Sequence, residues 1–276
     1  MDRSGNGPQE KEGSSMHIQQ PGSRPADNHP EGRVHQQQGV DPHPESERIV
    51  HTNMRKTIAR RLSESKRTIP HFYLTMDCEV GALARLRVGM READPTVRAP
   101  TVNDFVVCAA ARALRRAPAL NAWWSEDAII RHREANVCLA IGTERGLFAP
   151  VLRQADSLAV GDLSAAARTL VEKTKAGRLT AADYEGGTFT VSNLGMYGIR
   201  EFSAIINPPQ VGILAVGAVG TRVQADAQGW RLVEALTLTL SADHRAVDGT
   251  AAARFLNEIR AMLERPESLV AAPALR

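Results

Sequence analysis

Apolar residues recur with regular helical or strand spacing along most of the chain, but this pattern begins only after residue 47. From Asn53, which can cap a helix, apolar residues repeat every four positions, and this predicts a helix that ends before Pro70. The next segment alternates between apolar and polar side chains, which predicts a strand with one buried face at residues 71–80, HFYLTMDCEV.

The rest of the pattern alternates between strand-like and helix-like segments. Further helices are predicted near 80–92, near 103–116, and at 157–175 and 248–264. Further strands are predicted at 128–132, 136–143, 147–152, 186–193, 211–220 and 231–241. Mixed elements in this order predict a single α/β domain with a mixed β-sheet flanked by helices.

Composition and charge divide the chain into a tail, a body and a short end. Residues 1–47 are rich in Gly, Pro, Gln, Ser and His, bury little apolar surface, and are predicted to be a disordered acidic tail or linker. The tail carries a net charge of −4, so the remainder carries +7 of the formal total of +3. We assign residues 48–270 to the folded domain and 271–276 to a C-terminal extension.

Several classes of protein are disfavoured. No apolar run approaches the roughly 20 residues of a membrane helix, and the N-terminus lacks the apolar region of a secretory signal. Cys78, Cys108 and Cys138 stand far apart in apolar surroundings, so we expect buried structural thiols, no metal site and a cytoplasmic protein. The positive surplus is too dilute to indicate nucleic-acid binding.

Two short segments could carry chemistry. SADHRAVDGT at 241–250 places His244 where a strand ends, with Asp248 and Gly249 at the start of a helix; Gly249 would allow a tight turn. Taken alone, an Asp that caps a helix and a loop histidine are the more common interpretation. EGGTFTVSNLGMYG at 185–198 places Ser192 and Asn193 at a glycine-flanked turn, where these residues usually satisfy local backbone groups. His71 and His132 are weaker candidates.

Together the two segments resemble one family. SADHRAVDG contains the HxxxDG signature shared by the acyltransferase components of 2-oxo acid dehydrogenase complexes and chloramphenicol acetyltransferase. The dehydrogenase-complex branch is further indicated by MRKTIARRLSESKRTIPHFYLT, VNDFVV, GGTFTVSNLGMYGIREFSAIINPPQVGILAVG and TLTLSADHRAVDG. The resemblance covers roughly residues 48–270 and implies a chloramphenicol acetyltransferase-like catalytic domain of a dihydrolipoyl acyltransferase.

The resemblance implies transfer of an acyl group between coenzyme A and the thiol of dihydrolipoamide, without a covalent acyl-enzyme. By resemblance His244 is the general base and Ser192 is the oxyanion donor. Asp248 is a structural acid whose candidate partner is Arg55, and Asn193 and Gly249 support the two motifs. The resemblance also implies a homotrimer, with His244 and Ser192 from different chains and a larger hollow core beyond it.

One departure leaves the acceptor open. Family members carry lipoyl and subunit-binding domains ahead of the catalytic domain, and the tail at 1–47 has no room for a lipoyl domain. We therefore expect the lipoyl group in trans, from another subunit of such a complex. Two alternatives remain: a coenzyme A-dependent acyltransferase with a small non-lipoyl acceptor, and a catalytically silent scaffold.

Overall fold

A computed structural model describes residues 46–226 and 229–273. These residues form five α-helices: α1 (Asn53–Thr68), α2 (Gly81–Ala93), α3 (Val102–Arg116), α4 (Val160–Lys175) and α5 (Gly249–Glu264). They also form ten strands: β1 (His71–Glu79), β2 (Ala122–Trp124), β3 (Ile129–Arg131), β4 (Val137–Thr143), β5 (Gly146–Phe148), β6 (Val151–Leu152), β7 (Phe189–Asn193), β8 (Gly212–Val216), β9 (Gly220–Asp226) and β10 (Gly229–Asp243).

Eight of these strands form one mixed sheet in the order β1-β10-β8-β7-β4-β5, with β6 paired to β4 and β9 paired to β10. The pairs β4–β7 and β7–β8 are parallel, and the other pairs are antiparallel. Strands β2 and β3 form a separate antiparallel pair. The predicted α/β class with a mixed sheet and flanking helices is confirmed.

One face of the sheet packs against the helices. On β10 this face carries Leu236, Leu238, Leu240 and Ala242, which are all fully buried. Helix α3 is the most buried helix, because apolar side chains occupy most of its circumference. A capping box formed by Thr101 and Asp104 fixes its first turn. The alternation of apolar and polar residues predicted for β1 and β10 therefore distinguishes the face that packs into the core from the opposite face.

The opposite face of β10 is polar but also buried. Thr237, Thr239 and Ser241 lie there at 1%, 4% and 0% exposure. The segment between β7 and β8 covers part of this face, since the Ser241 hydroxyl donates to the Ala204 carbonyl at 2.7 Å. The Ser65 hydroxyl of α1 likewise donates to the Ile206 carbonyl, at 2.6 Å.

Some predicted boundaries need correction. Thr52, not Asn53, caps α1, because its backbone is extended and its hydroxyl accepts the Arg55 amide at 3.2 Å. Helix α4 starts later than predicted because a 3-10 turn occupies Ala155–Ser157. The strand predicted at 147–152 is divided into β5 and β6, and β2 and β9 were not predicted.

Two predictions concern the ends of the chain, of which the structure describes only a part. The tail predicted at 1–47 lies almost wholly outside the described residues, as does half of the extension predicted at 271–276. None of the helices in the described part has the length and apolar character needed to span a membrane.

The three cysteines are free and buried, as predicted. Burial raises the pKa of Cys78 to about 12 and that of Cys108 to about 11. Burial also raises the pKa of Cys138, whose sulfur accepts a hydrogen bond from the Gln210 amide at 3.2 Å. Neutral thiols of this kind are poor nucleophiles, so they behave as small apolar side chains.

Candidate active site

His244 lies directly after β10, at the first position of a tight turn that leads into α5. Its backbone amide donates to the Pro70 carbonyl at 3.1 Å, which ties the turn to the start of β1. The His244 side chain is exposed, and its ring centroid lies 4.5 Å from that of Phe72. Within the described residues its two ring nitrogens have no hydrogen-bond partner, so they are available to a bound molecule.

Asp248 caps α5, because its carboxylate accepts the Ala251 amide at 2.8 Å. No hydrogen bond or ion pair joins Asp248 to Arg55 within the described part of this chain, and Arg55 is exposed on α1. Gly249 begins α5 without a positive φ, and a Cβ there would meet nothing within 4 Å. The tight glycine turn predicted at Gly249 is therefore absent.

Ser192 lies near the end of β7, on the face opposite the helices. Its neighbours Phe189 and Val191 belong to the main core, so the alternation of the strand directs Thr190 and Ser192 to the other face. Ser192 is partly exposed, and its hydroxyl has no hydrogen-bond partner among the residues that the structure describes. The hydroxyl is therefore free to donate to a ligand.

Asn193 closes the turn that follows Ser192. Its side-chain oxygen accepts the Gly195 amide at 2.7 Å, and its side-chain nitrogen donates to Asn103 of α3 at 2.8 Å. A Cβ at Gly195 would lie 2.8 Å from the Gly217 carbonyl oxygen, so only glycine allows this close approach. Asn193 and Gly195 thus fix the backbone beyond Ser192 against two other parts of the fold.

The sheet register keeps Ser192 and His244 apart within one chain. Ser192 pairs with Ala215 of β8, and Ala215 pairs with Thr239 of β10. His244 is five residues beyond Thr239. At about 3.3 Å per residue along a strand and about 4.8 Å between strands, the two residues lie roughly 19 Å apart. One reacting group cannot contact both side chains at that separation.

The two weaker histidine candidates are held by the fold. His71 accepts the Ile206 amide on Nε2 at 3.1 Å, so its Nδ1 is the protonated nitrogen and donates to the Ile69 carbonyl at 2.9 Å. The His132 ring packs edge-on against Trp123, and burial lowers the pKa of His132. Both are therefore structural residues.

An open groove of about 610 Å³ lies beyond the turn that follows Ser192. Arg200 and Arg222 line it together with Asp77. Burial alone would raise the pKa of Asp77, but hydrogen bonds from Arg222 and Thr237 outweigh that effect and keep the pKa low. Asp77 pairs with Arg222, which leaves the groove with a net positive charge from Arg200.

Sequence reasoning missed the side chains that surround the His244 turn. Phe72 supports the ring, while Asp243 and Arg245 flank His244 and bind each other. The sequence shows an acidic and a basic residue on either side of His244. Only the burial of Asp243 in the fold indicates that this pair matters. Among the described residues, no three His, Cys, Asp or Glu side chains form a group that could hold a metal ion.

The comparisons with known proteins identify the family of the chain. A family model described as 2-oxoacid dehydrogenases acyltransferase (catalytic domain) matches residues 43–271. The family match and the fold define an acyltransferase catalytic domain. The chain belongs to the family of 2-oxoacid dehydrogenase acyltransferases.

Individual relatives extend this assignment. The chain is similar to the mitochondrial dihydrolipoyllysine-residue acetyltransferase component of the pyruvate dehydrogenase complex of Dictyostelium discoideum, with 43% identity over 80% of this chain and 35% of the relative. Among solved structures it is similar to a probable dihydrolipoamide acetyltransferase from Listeria monocytogenes, with a TM-score of 0.77, 32% identity, and coverage of 83% of this chain and 98% of that one.

A further solved structure is the cubic core of the pyruvate dehydrogenase multienzyme complex, with a TM-score of 0.78, 29% identity, and coverage of 82% of this chain and 95% of that one. The chain spans between about a third and about half the length of the first curated relatives that it matches, at 35% and 56%. The similarity therefore concerns their catalytic domain.

Proposed function

We propose that this protein is an acyltransferase that moves an acyl group between coenzyme A and the thiol of dihydrolipoamide. The observation that carries the proposal is the exposed imidazole of His244, which lies on the SADHRAVDG turn and packs against Phe72. Among the described residues, neither of its nitrogens has a hydrogen-bond partner. In this proposal coenzyme A and the lipoyl group act as substrates, and the match to an acyltransferase catalytic domain supports this class of reaction.

His244 acts as the general base. A free thiol with a pKa near 8.5 is mostly neutral at neutral pH, and only its thiolate attacks a thioester well. An imidazole with a pKa near 6.5 can remove that proton as the carbon–sulfur bond forms. The same imidazolium then returns the proton to the sulfur of coenzyme A as the old carbon–sulfur bond breaks. The nucleophile belongs to the substrate, so no covalent acyl-enzyme is needed.

Ser192 donates a hydrogen bond to the oxyanion of the tetrahedral intermediate. Its hydroxyl is partly exposed, and the fixed turn at Asn193 and Gly195 orients the end of β7. Removal of one such donor typically costs about 3 kcal/mol of transition-state stabilisation. The positive groove beside this turn suits the phosphates of coenzyme A.

We assign supporting roles to four other residues. Asp248 and Gly249 start α5, and Asn193 holds the turn after Ser192. Arg55 is proposed as the partner of Asp248 across a subunit boundary, since it is exposed on α1 and makes no contact with Asp248 in its own chain.

The active site is proposed to lie between neighbouring subunits of a homotrimer, which can assemble further into a larger core. The separation of about 19 Å between Ser192 and His244 supports this arrangement. Cyclic symmetry would bring His244 of one chain to Ser192 of the next. The cubic-core structure of the pyruvate dehydrogenase complex, similar to this chain, supports the further assembly.

The acceptor is proposed to be a lipoyl group carried in trans by another subunit of a 2-oxo acid dehydrogenase complex. Relatives named as dihydrolipoyllysine-residue acetyltransferase components of pyruvate dehydrogenase complexes support a lipoyl acceptor. A cytoplasmic location is proposed because all three cysteines are free thiols. A small non-lipoyl acceptor is the second candidate, since an exposed base serves any thiol, alcohol or amine.

An acyl-coenzyme A panel assayed with free dihydrolipoamide and with a separate lipoyl domain tests the proposal. We expect turnover with at least one acyl group, and a loss of several orders of magnitude in His244→Ala. His51→Ala is the matched control, because His51 is also exposed but lies before α1. Ser192→Ala should lower kcat by about 100-fold while coenzyme A binding stays intact.

Equal turnover in wild type and His244→Ala would remove His244 as the base. Turnover with small acceptors but with neither form of lipoamide would favour the second candidate. No turnover with any acyl group and acceptor would overturn the proposal and leave a scaffold.

A further inference from the structure

A carboxylate is completely buried next to the exposed base. Asp243 precedes His244 and has 0% exposure. An ionised carboxylate in such a position must be paired, because loss of hydration is otherwise very unfavourable. Its partner is Arg245, which follows His244: Nε donates to Oδ1 at 2.9 Å and Nη2 donates to Oδ2 at 2.7 Å. The two residues that flank His244 therefore form a two-pronged ion pair with each other.

The same pair also closes the backbone turn that carries His244. Oδ1 of Asp243 accepts the backbone amide of Arg245 at 3.0 Å, and the Asp243 carbonyl accepts the amides of Ala246 and Val247, both at 3.0 Å. The Asp243 amide donates to the Val211 carbonyl at 2.9 Å. His244 thus lies inside a loop whose two ends are joined by both side-chain and main-chain hydrogen bonds.

The guanidinium of Arg245 has a second support. It stacks over the ring of Trp124 with 4.5 Å between the guanidinium carbon and the ring centroid. Trp124 is itself held in β2, where its amide donates to the Pro209 carbonyl at 2.8 Å. The hydrogen bond to Asp243 raises the pKa of Arg245, so the cation is maintained. Planar stacking and a two-pronged fork are geometries that arginine provides and lysine does not.

We propose that Asp243 and Arg245 are positioning residues, which hold the His244 imidazole against Phe72 with its nitrogens directed at the substrate. The inference rests on the proposed role of His244. It assigns the orientation of the base to a pair inside the turn, whereas Asp248 holds only the first turn of α5 within its own chain. A displacement of about 1 Å in a reacting group can reduce the rate about 100-fold, so the turn geometry controls catalysis.

Arg245→Lys tests this inference because it keeps the charge but removes the fork and the planar stacking. We expect kcat to fall by about 100-fold. The KM for acyl-coenzyme A should stay within about twofold, because the pair does not take part in binding. Light scattering should give the same assembly as wild type, so that the loss cannot come from dissociation.

The chain offers a matched control in another buried aspartate–arginine pair. Asp156 is 2% exposed, accepts the Ala135 amide at 2.9 Å, and pairs with Nη1 of Arg115 at 3.1 Å. Arg115→Lys should lower the free energy of unfolding by an amount similar to that of Arg245→Lys, yet leave kcat unchanged. Equal kcat values in the two variants would reduce Arg245 to a structural residue and overturn the inference.

A crystal structure of Arg245→Lys provides a readout that does not need activity. We expect the His244 ring to leave its position 4.5 Å from Phe72. If the wild type turns over no acyl-coenzyme A, the proposed function fails, and an unmoved His244 ring in this crystal would separately overturn the positioning role.

If Arg245→Lys does not fold, Trp124→Leu tests the positioning role of Arg245 instead. This change keeps the fork but removes the ring beneath the guanidinium. We expect a smaller loss confined to kcat, and an unchanged kcat would count against the inference.

Discussion

Co-assembly of His244→Ala chains with Ser192→Ala chains should raise turnover well above that of either variant alone. The reason is the sheet register, which places Ser192 level with Thr239 on β10 and five residues short of His244. At about 19 Å apart, the two side chains of one chain cannot reach the same thioester. Under the proposed function, a complete site would combine His244 of one chain with Ser192 of a neighbour.

The expected size of the recovery follows from the symmetry of the assembly. In a 1:1 mixture, half of the chains supply an intact His244 and the other half supply an intact Ser192. In a cyclic assembly with random mixing, about one site in four then receives both intact residues. Ser192→Ala alone should retain about 1% of kcat, given a loss of about 3 kcal/mol. The mixture should therefore exceed either variant by more than tenfold.

The assay is acyl transfer from acyl-coenzyme A to free dihydrolipoamide after co-expression of two differently tagged chains. Tandem purification on both tags ensures that only mixed assemblies are measured. Variants purified separately and combined without unfolding provide the control. Activity of the co-assembled sample no higher than the mean of the two variants would refute a site shared between chains.

Two further predictions concern the fold. Gly217→Ala should lower the free energy of unfolding by about 1–3 kcal/mol in urea titrations, because the new Cβ would lie 1.8 Å from the Arg200 carbonyl oxygen. Gly220→Ala is the control and should change the free energy of unfolding by less than about 0.5 kcal/mol, since nothing lies within 4 Å of a Cβ there. Burial raises the pKa of Cys78 from 9.0 to about 12, so the unfolded thiol ionises first and stability should fall as the pH rises from 9.0 towards 12. Cys78→Ala should make that decline shallower, and an unchanged slope would contradict the burial effect.

The main sheet could be predicted in part because its strands β1 and β10 have one apolar face. In β10, Leu236, Leu238 and Leu240 alternate with threonines, and in β1 the apolar residues alternate in the same way. The short strand β2 could not be predicted, since three residues show no periodicity. Strand β9 was missed because its hairpin with β10 leaves Val223 exposed, so its pattern does not follow a buried face.

The resemblance implied both the candidate site residues and their origin in different chains, and these stay predictions. His244 and Ser192 were assigned through motifs, while their separation depends on a register that only the paired strands reveal. Asp248 was ranked above Asp243 because a short motif emphasises the acid four residues after the histidine. Within a single chain, burial makes Asp243 the stronger candidate for holding His244, since Asp243 has no access to solvent and Asp248 is exposed.

The separation of Ser192 from His244 along the sheet makes catalysis subject to mass action. In a folded single chain the proposed base would lie about 19 Å from the proposed oxyanion donor, so acyl transfer by that chain alone would be slow. Dilution below the dissociation constant of the assembly should then lower turnover by about 100-fold without unfolding the chain. Newly made chains would therefore reach full activity only after they meet their neighbours.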